Sequence, residues 1–275
     1  MTENPEIGER IQVGGIGTNY IAAGSGAPLV LIHGSGPGVT AFANWRGVIP
    51  NLSAHFRCLA PDTLGFGYTD FPADIDGFSM NRWLDHLIGF LDALGIPQAH
   101  FIGNSYGGAL TLALAARAPE RVGRIVLMGA AGLKFPVSEG LAKVWAYQPS
   151  LDAMRDLMTT FAFDPALVKE EIVASRYQAS IRPGAQEAYS SLFPEPRQRW
   201  LDALATDESA LRALPHSTLI VHGREDVIVP VEQSIKFHQL IEHSELHVFG
   251  GCGHWTQIEK RDRFLELVIP FLKVD

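Results

Sequence analysis

Cysteine is nearly missing from this sequence. Cys58 and Cys252 are the two present in 275 residues, and they form neither a CxxC pair nor a spaced framework. That excludes a disulfide scaffold and leads us to expect two reduced thiols in a cytoplasmic protein. Basic runs are also missing, and the formal net charge is −8. Nucleic acid is therefore not an expected partner. An anionic ligand would have to rely on local cations or backbone N–H groups. Residues 1–10 are polar and carry three glutamates, unlike the basic and apolar regions of a signal peptide. No apolar run approaches the roughly 20 residues that span a bilayer, so no membrane partner is expected. The run Ala109–Ala116 reads instead as a buried helix. No GxGxxG or GxxxxGK[ST] string opens a helix after a strand, and no histidine pair flanks a glutamate at helical spacing. No cofactor and no metal are expected. Internal repeats and low-complexity segments are absent too.

What is present is core-forming material: 47% hydrophobic and 19% charged residues. Short β-rich apolar runs recur at Pro28–Gly34, Phe56–Pro61, His100–Asn104, Arg124–Met128, Thr218–Gly223 and Leu246–Gly250. Several are continuously apolar, as strands covered on both faces are. Helical patterns separate them. Met80–Leu94 places Trp83, Leu84, Leu87, Ile88, Leu91 and Leu94 on one face, and Gly95 and Pro97 end it. The alternation predicts a doubly wound α/β domain, preceded by an antiparallel edge hairpin over Arg10–Ala23. Between about Phe135 and Leu211 the strands vanish. The pattern there is helical, punctuated by Pro136, Pro149, Pro165, Pro183, Pro194 and Pro196. We expect a core of residues 1–134 and 212–275, with a helical lid inserted over 135–211.

Gly103-Asn104-Ser105-Tyr106-Gly107 follows a predicted strand and leads into a predicted helix over Ala109–Ala118. That context marks a nucleophile elbow. A sharp strand-to-helix turn exposes the serine hydroxyl, and the flanking glycines avoid clashes that side chains would make. The following helix directs its positive end at the site. A serine nucleophile needs a base, and the base needs an orienting acid, in the chain order Ser, acid, His. Of the histidines after Ser105, His216, His222, His238, His243 and His247 fall in or beside strands and a helix. His254 alone sits in a glycine-rich loop past a late strand, and it is the expected base. The strand Thr218–Gly223 runs into Glu225 and Asp226. Asp226 is favoured as the acid, one residue further out, with Glu225 as an exposed loop charge. The oxyanion donors are expected at the backbone N–H of Tyr106 and at Ser35 or Gly36, in the flexible loop after the first parallel strand. His33 reads as a buttress of that loop. Together these features describe the α/β-hydrolase fold, with a mostly parallel eight-stranded sheet and helices on both faces.

Further motifs resemble the meta-cleavage product hydrolases. They are His33-Gly34-Ser35-Gly36-Pro37-Gly38, Asn44-Trp45, Gly223-Arg224-Glu225-Asp226 and Cys252-Gly253-His254-Trp255. The segments Phe161–Asp164, Ser175–Pro183 and Pro196–Trp200 resemble the branch acting on 2-hydroxymuconate semialdehyde. The resemblance implies a hydrolase that cleaves the C5–C6 bond of 2-hydroxy-6-oxo-hexa-2,4-dienoates after enol–keto tautomerisation. It implies Arg176 as a forked partner for the substrate carboxylate, Trp255 beside the dienoate, and the Asn44 and Asn104 amides at its oxygens. It also implies a homo-oligomer. Ala130, Phe135, Trp145, Leu192 and Val227 are expected walls of the C6 subsite, and Tyr106 is expected to influence which substituent fits there. Two other readings use the same fold. A carboxylesterase would keep Ser105, His254 and Asp226 without needing Arg176, Trp255, Asn44 and Asn104 together. A binding protein would turn nothing over. Serine at position 105, rather than aspartate, disfavours dehalogenases and epoxide hydrolases.

Overall fold

The computed structural model describes residues 4–72 and 76–273. Its eight-stranded sheet comprises β1 (Glu9–Val13), β2 (Ile16–Ala23), β3 (Pro28–Ile32), β4 (Arg57–Pro61), β5 (Ala99–Asn104), β6 (Val122–Met128), β7 (Thr218–Gly223) and β8 (Ser244–Phe249). The spatial order is β1-β2-β4-β3-β5-β6-β7-β8. The β1–β2 and β2–β4 pairs are antiparallel, and every other pair is parallel. The β1–β2 hairpin turns on Gly14 and Gly15, whose φ values of 56° and 86° suit a two-residue turn that needs both centres left-handed.

Successive strand side chains point to opposite faces, and here both faces are buried. Val30, Ile32, Phe101, Ile125, Leu127 and Ile220 belong to one apolar cluster. Their neighbours Leu29, Leu31, Ile102, Val126, Met128, Leu219 and Val221 belong to a second. The helix Met80–Ala93 covers the first face with Trp83, Leu84, Leu87, Phe90 and Leu91. The C-terminal helix Arg261–Lys273 covers the second with Phe264, Leu265, Val268 and Leu272. Continuously apolar strands are what a sheet buried on both sides requires.

Most element boundaries fall within one or two residues of expectation, and two shifts have a clear physical cause. β3 ends at Ile32 rather than Gly34, because the buried His33 leaves the ladder. Its Nδ1 donates to Gly34 O at 2.7 Å and its Nε2 accepts from Thr63 N at 3.0 Å. The helix after β5 starts at Tyr106 rather than Ala109. Gly107 and Gly108 are helical there, so close packing rather than helix propensity decides that first turn.

No strand lies between β6 and β7 among the described residues. Helices fill the interval, including Glu139–Trp145, Leu151–Phe161, Glu170–Ser180 and Ala185–Leu192. Ser138 and Ser150 cap the first two, accepting from Leu141 N and Ala153 N at 3.0 Å. The segment is fastened to the sheet edge. Ser138 Oγ donates to Ile228 O at 2.7 Å, and His254 N donates to Phe161 O at 2.8 Å. No helix among the described residues is long and apolar enough to cross a membrane.

The approach of the helix Tyr106–Arg117 to β3 leaves no room at Gly107. A Cβ there would meet Ile32 O at 2.3 Å and His33 O at 2.8 Å, both backbone atoms. Gly107→Ala should therefore destabilise the fold by about 1–3 kcal/mol. Gly47→Ala, with nothing within 4 Å, should stay within about 0.5 kcal/mol of the parent. Urea midpoints at constant m value measure the difference.

Candidate active site

The loops at the carboxyl ends of β3, β5, β6, β7 and β8 share one edge of the sheet, where open α/β sheets place their ligands. Ser105 is the first residue past β5. Its φ of 54° and ψ of −117° make it the single non-glycine residue at positive φ among the described residues. Such a conformation costs of order 1–3 kcal/mol and persists only where its surroundings enforce it. Here Ser105 N donates to Met128 O at 2.9 Å, and Ser105 O accepts from Gly108 N at 2.9 Å and Ala131 N at 3.1 Å. A Cβ on Gly103 would lie 2.5 Å from Gly107 O, so the turn also depends on the bare glycine. Tyr106 opens the helix, and its N–H has no intrahelical acceptor.

His254 follows β8 in a glycine-rich loop. That loop lies directly on β7: a Cβ on Gly223 would lie 2.0 Å from Gly253 O. Glu225 pins the loop by accepting from Cys252 N at 3.1 Å, while Glu225 N donates to Cys252 O at 3.0 Å. Glu225 is thus a partly buried staple rather than an exposed charge. Its neighbour Asp226 turns inward. His254 Nδ1 donates to Asp226 Oδ2 at 2.6 Å, and Asp226 Oδ1 accepts from Ile228 N at 2.8 Å and Val229 N at 3.0 Å. Burial alone would raise the Asp226 carboxyl. His254 and His222, by charge and hydrogen bonding, outweigh burial and hold it well below the usual carboxylate range.

Ser105 and His254 line a common cavity of about 20 Å³, together with Gly34, Ser35, Gly36, Asn44, Asn104, Phe161, Arg176 and Trp255. The N–H groups of Ser35 and Gly36 have no protein acceptor among the described residues. Ser35 Oγ accepts from Trp145 Nε1 at 3.2 Å, which leaves its own hydrogen free to donate. Asn104 Nδ2 donates to Asn44 Oδ1 at 2.9 Å. The pair is left with one buried donor, Asn44 Nδ2, and one buried acceptor, Asn104 Oδ1, both without partners. Arg176 Nε donates to Pro37 O at 3.0 Å, and one terminal nitrogen lies 3.2 Å from where a Gly36 Cβ would be. Burial lowers the guanidinium to about 10, against the pull of Glu6, so it remains a cation at neutral pH. Trp255 stacks on Phe161 at 5.1 Å, and Phe161 stacks on His254 at 5.8 Å. His33 lies beneath the loop, and burial lowers it to about 4, which leaves it neutral.

Several expected wall residues lie elsewhere. Val227 is 54% exposed, whereas Ile228 is 1% exposed and lines the cavity. The turn that brings the Ile228 and Val229 N–H groups onto Asp226 directs Val227 outward. The Tyr106 side chain packs in the core against Phe66, Phe78 and Phe193 and does not line the cavity. Trp145 is stacked on Phe193 at 4.4 Å and reaches the site only through Ser35. Leu192 packs over Gly65. Ala130 and Phe135 are core residues outside the lining. The apolar residues that line this inner cavity are Val39, Leu141, Val144, Phe161 and Ile228. Leu141 and Val144, three apart on a capped helix, carried a periodic signal that could have identified them; Ile228 carried none. His222 was also missed. It is fully buried, with Nε2 at 3.2 Å from Asp226 Oδ2 and 2.9 Å from Val229 O. Its position four residues before Asp226 was the available clue. Among the described residues no group of three or more His, Cys, Asp or Glu could hold a metal ion.

Comparison with known proteins gives this geometry a relationship. Residues 27–261 match the α/β-hydrolase fold family. The chain is 56% identical over 269 residues to a 2-hydroxymuconate semialdehyde hydrolase of Pseudomonas sp. (strain CF600), covering 98% of this chain and 95% of that protein. It is 53% identical over 272 residues to a 2-hydroxy-6-oxo-2,4-heptadienoate hydrolase of Pseudomonas putida F1, covering 99% and 98%. A solved structure of a meta-cleavage product hydrolase from Pseudomonas fluorescens IP01 superposes with a TM-score of 0.96 at 55% identity, covering 98% of each chain. The serine elbow, the inward acid and the buried arginine beside them thus sit in a chain that belongs to the meta-cleavage product hydrolases of the α/β-hydrolase fold.

Proposed function

We propose that this enzyme hydrolyses the C5–C6 bond of 2-hydroxy-6-oxo-hexa-2,4-dienoates with a small or absent C6 substituent, using Ser105, His254 and Asp226 as its catalytic triad. The observation that carries this reading is Arg176, a buried cation in the same cavity as Ser105 with no carboxylate within salt-bridge distance among the described residues. An esterase for neutral substrates has no use for it. A substrate carboxylate does, because a guanidinium forks onto it in two-pronged fashion.

In this reading the carboxylate and the adjacent enol oxygen lie between Arg176 and the two asparagines. One free amide donor and one free acceptor suit a ligand that passes from enol to keto form. After tautomerisation, the C6 carbonyl oxygen points at the N–H groups of Tyr106 and Ser35 or Gly36. These groups stabilise the negative charge that develops when the carbonyl is attacked. His254, held by Asp226, removes the proton from the attacking hydroxyl. The C5–C6 electron pair then delocalises through C4 and C3 onto the C2 oxygen, which takes up the proton, while C5 keeps the two hydrogens it holds after tautomerisation. The products are 2-hydroxypenta-2,4-dienoate and a carboxylic acid; water supplies the acid's new oxygen. Two relatives 56% and 53% identical to this chain are hydrolases of 2-hydroxymuconate semialdehyde and of 2-hydroxy-6-oxo-2,4-heptadienoate, which favours hydrogen or methyl at C6 over phenyl. The helices over 135–211 act as a lid that excludes bulk water. We place the enzyme in the cytoplasm as a homo-oligomer, at least a dimer, and sedimentation measures the latter.

Ser105→Ala should lower kcat by roughly 10³-fold or more while still binding the dienoate, as followed by bleaching of its yellow colour. Bleaching at the parent rate would remove Ser105 as nucleophile. Arg176→Ala should lower kcat/KM for the dienoate by roughly 10- to 100-fold, the value of a charged hydrogen bond of about 1.5–3 kcal/mol. Turnover of neutral aryl acetates should change little. An equal loss on both substrates would favour the esterase reading.

The Asp226 carboxyl lies below its unfolded value near 4. Its contribution to stability is therefore complete above about pH 4 and is lost as the pH falls through the lower native value. Urea titrations between about pH 3 and 7 should show a flatter acid limb for Asp226→Asn than for the parent.

A further inference from the structure

A second cavity of about 220 Å³ adjoins the first, and Asn44, Arg176 and Trp255 line both. The inner cavity, at about 20 Å³, has room for about one water. A dienoate is many times larger, so it must arrive through neighbouring space as the helices over 135–211 shift. The outer cavity adjoins at the carboxylate end of the site, where Arg176 stands between the two.

Its chemistry is specific. Met158, Leu167, Ile172 and Ile258 supply apolar walls, and Arg46 and Arg261 stand at its exposed rim. Arg46 has no hydrogen-bond or salt-bridge partner among the described residues. Arg261 donates only to the neutral amide oxygen of Asn51, at 3.1 Å. Glu6 is the single carboxylate in the lining. Burial raises its carboxyl, and the charges of Arg176, Arg182 and Arg46 oppose that shift. The lining therefore holds three cations against one carboxylate, in a chain of net charge −8. Two buried polar atoms at the junction, Asn44 Nδ2 and Gln257 Oε1, have no partner. The other sizeable cavity beside these helices, about 360 Å³, shares only Val39 with the inner one. Its arginine, Arg182, is already engaged. It donates to Gly67 O at 2.6 Å and lies over the Tyr68 ring at 3.7 Å.

We propose that the outer cavity is the port of the enzyme, a docking site for small organic carboxylates. Arg46 and Arg261 take the incoming carboxylate there and pass it to Arg176. The proposal rests on the dienoate reading above. A local cluster of like charge in a low-dielectric cleft focuses the field and raises the local concentration of an oppositely charged ligand. The effect fades as salt shortens the Debye length.

The test uses the full-length enzyme and two substrates, the semialdehyde dienoate and neutral p-nitrophenyl acetate. At about 0.01 M ionic strength, where the Debye length is about 30 Å, the double variant Arg46→Glu/Arg261→Glu should lose about tenfold or more in kcat/KM for the dienoate. Its kcat and its ester turnover should stay near the parent values. Added salt should lower the parent's kcat/KM for the dienoate and raise the variant's. The milder Arg46→Gln/Arg261→Gln pair should fall between them, and it serves as the readout if charge reversal unfolds the protein. Parent-like dienoate kinetics at every ionic strength, or equal losses on both substrates, would overturn the port. A parent enzyme that turns over the ester and leaves the dienoate yellow would instead overturn the functional reading.

Discussion

The backbone of one residue carries the arrangement. Ser105 sits at a φ that no other non-glycine residue adopts among the described residues. It is held there by the end of β6, by the first turn of the next helix and by the absence of side chains at Gly103 and Gly107. That strain lifts the hydroxyl off the sheet and leaves the Tyr106 N–H without an acceptor at the positive end of a helix. A relaxed turn would move the Ser105 side chain out of the cavity that it shares with His254. The cost of the conformation is met by the two-sided core, whose alternating strand residues anchor β3, β5 and β6 in register.

Around that point the protein separates two electrostatic tasks. The acid–base pair is shielded: Asp226 has backbone donors on one oxygen and His254 on the other, deep enough that exposed charges hardly reach it. The opposite side of the cavity carries the buried positive charge of Arg176, offset in part by Glu6. Arg176 gives its Nε to the Pro37 carbonyl, and its terminal nitrogens make no hydrogen bond among the described residues. In a chain that is negative overall, such a cation stands out as a feature with a purpose. Phe161 stacks on both His254 and Trp255 in the cavity that these groups share with Arg176.

Much of this was legible in the sequence because it depends on local rules. A glycine-flanked serine between a strand and a helix, an acid at a strand exit and a histidine in a glycine loop each announce themselves by neighbours in the chain. The continuously apolar strands likewise declared a sheet buried on both faces. The expected C6 walls fared worse. Val227 and Ile228 have nearly the same chemistry, and only the turn around Asp226 decides which faces in. Tyr106 lies next to the nucleophile in sequence, yet its ring points into the core because a helix's first turn sends successive side chains in different directions. Glu225 looked like a solvent charge until the loop carrying Cys252 folded onto it.

The sequence by itself therefore determined the elements, their alternation and the candidates for the reactive groups, since periodicity and turn chemistry act over a few residues. Only the tertiary structure decided which side chains face the cavity, how His222 and Glu225 support the acid and its loop, and that a second, cationic cavity adjoins the first. The cavity's lining depends on contacts between segments more than a hundred residues apart, such as Trp145 with Ser35 and Arg176 with Pro37, and the Glu225 staple joins two separate loops. No local pattern encodes such contacts, because they exist only once the sheet has set the distances between its loops.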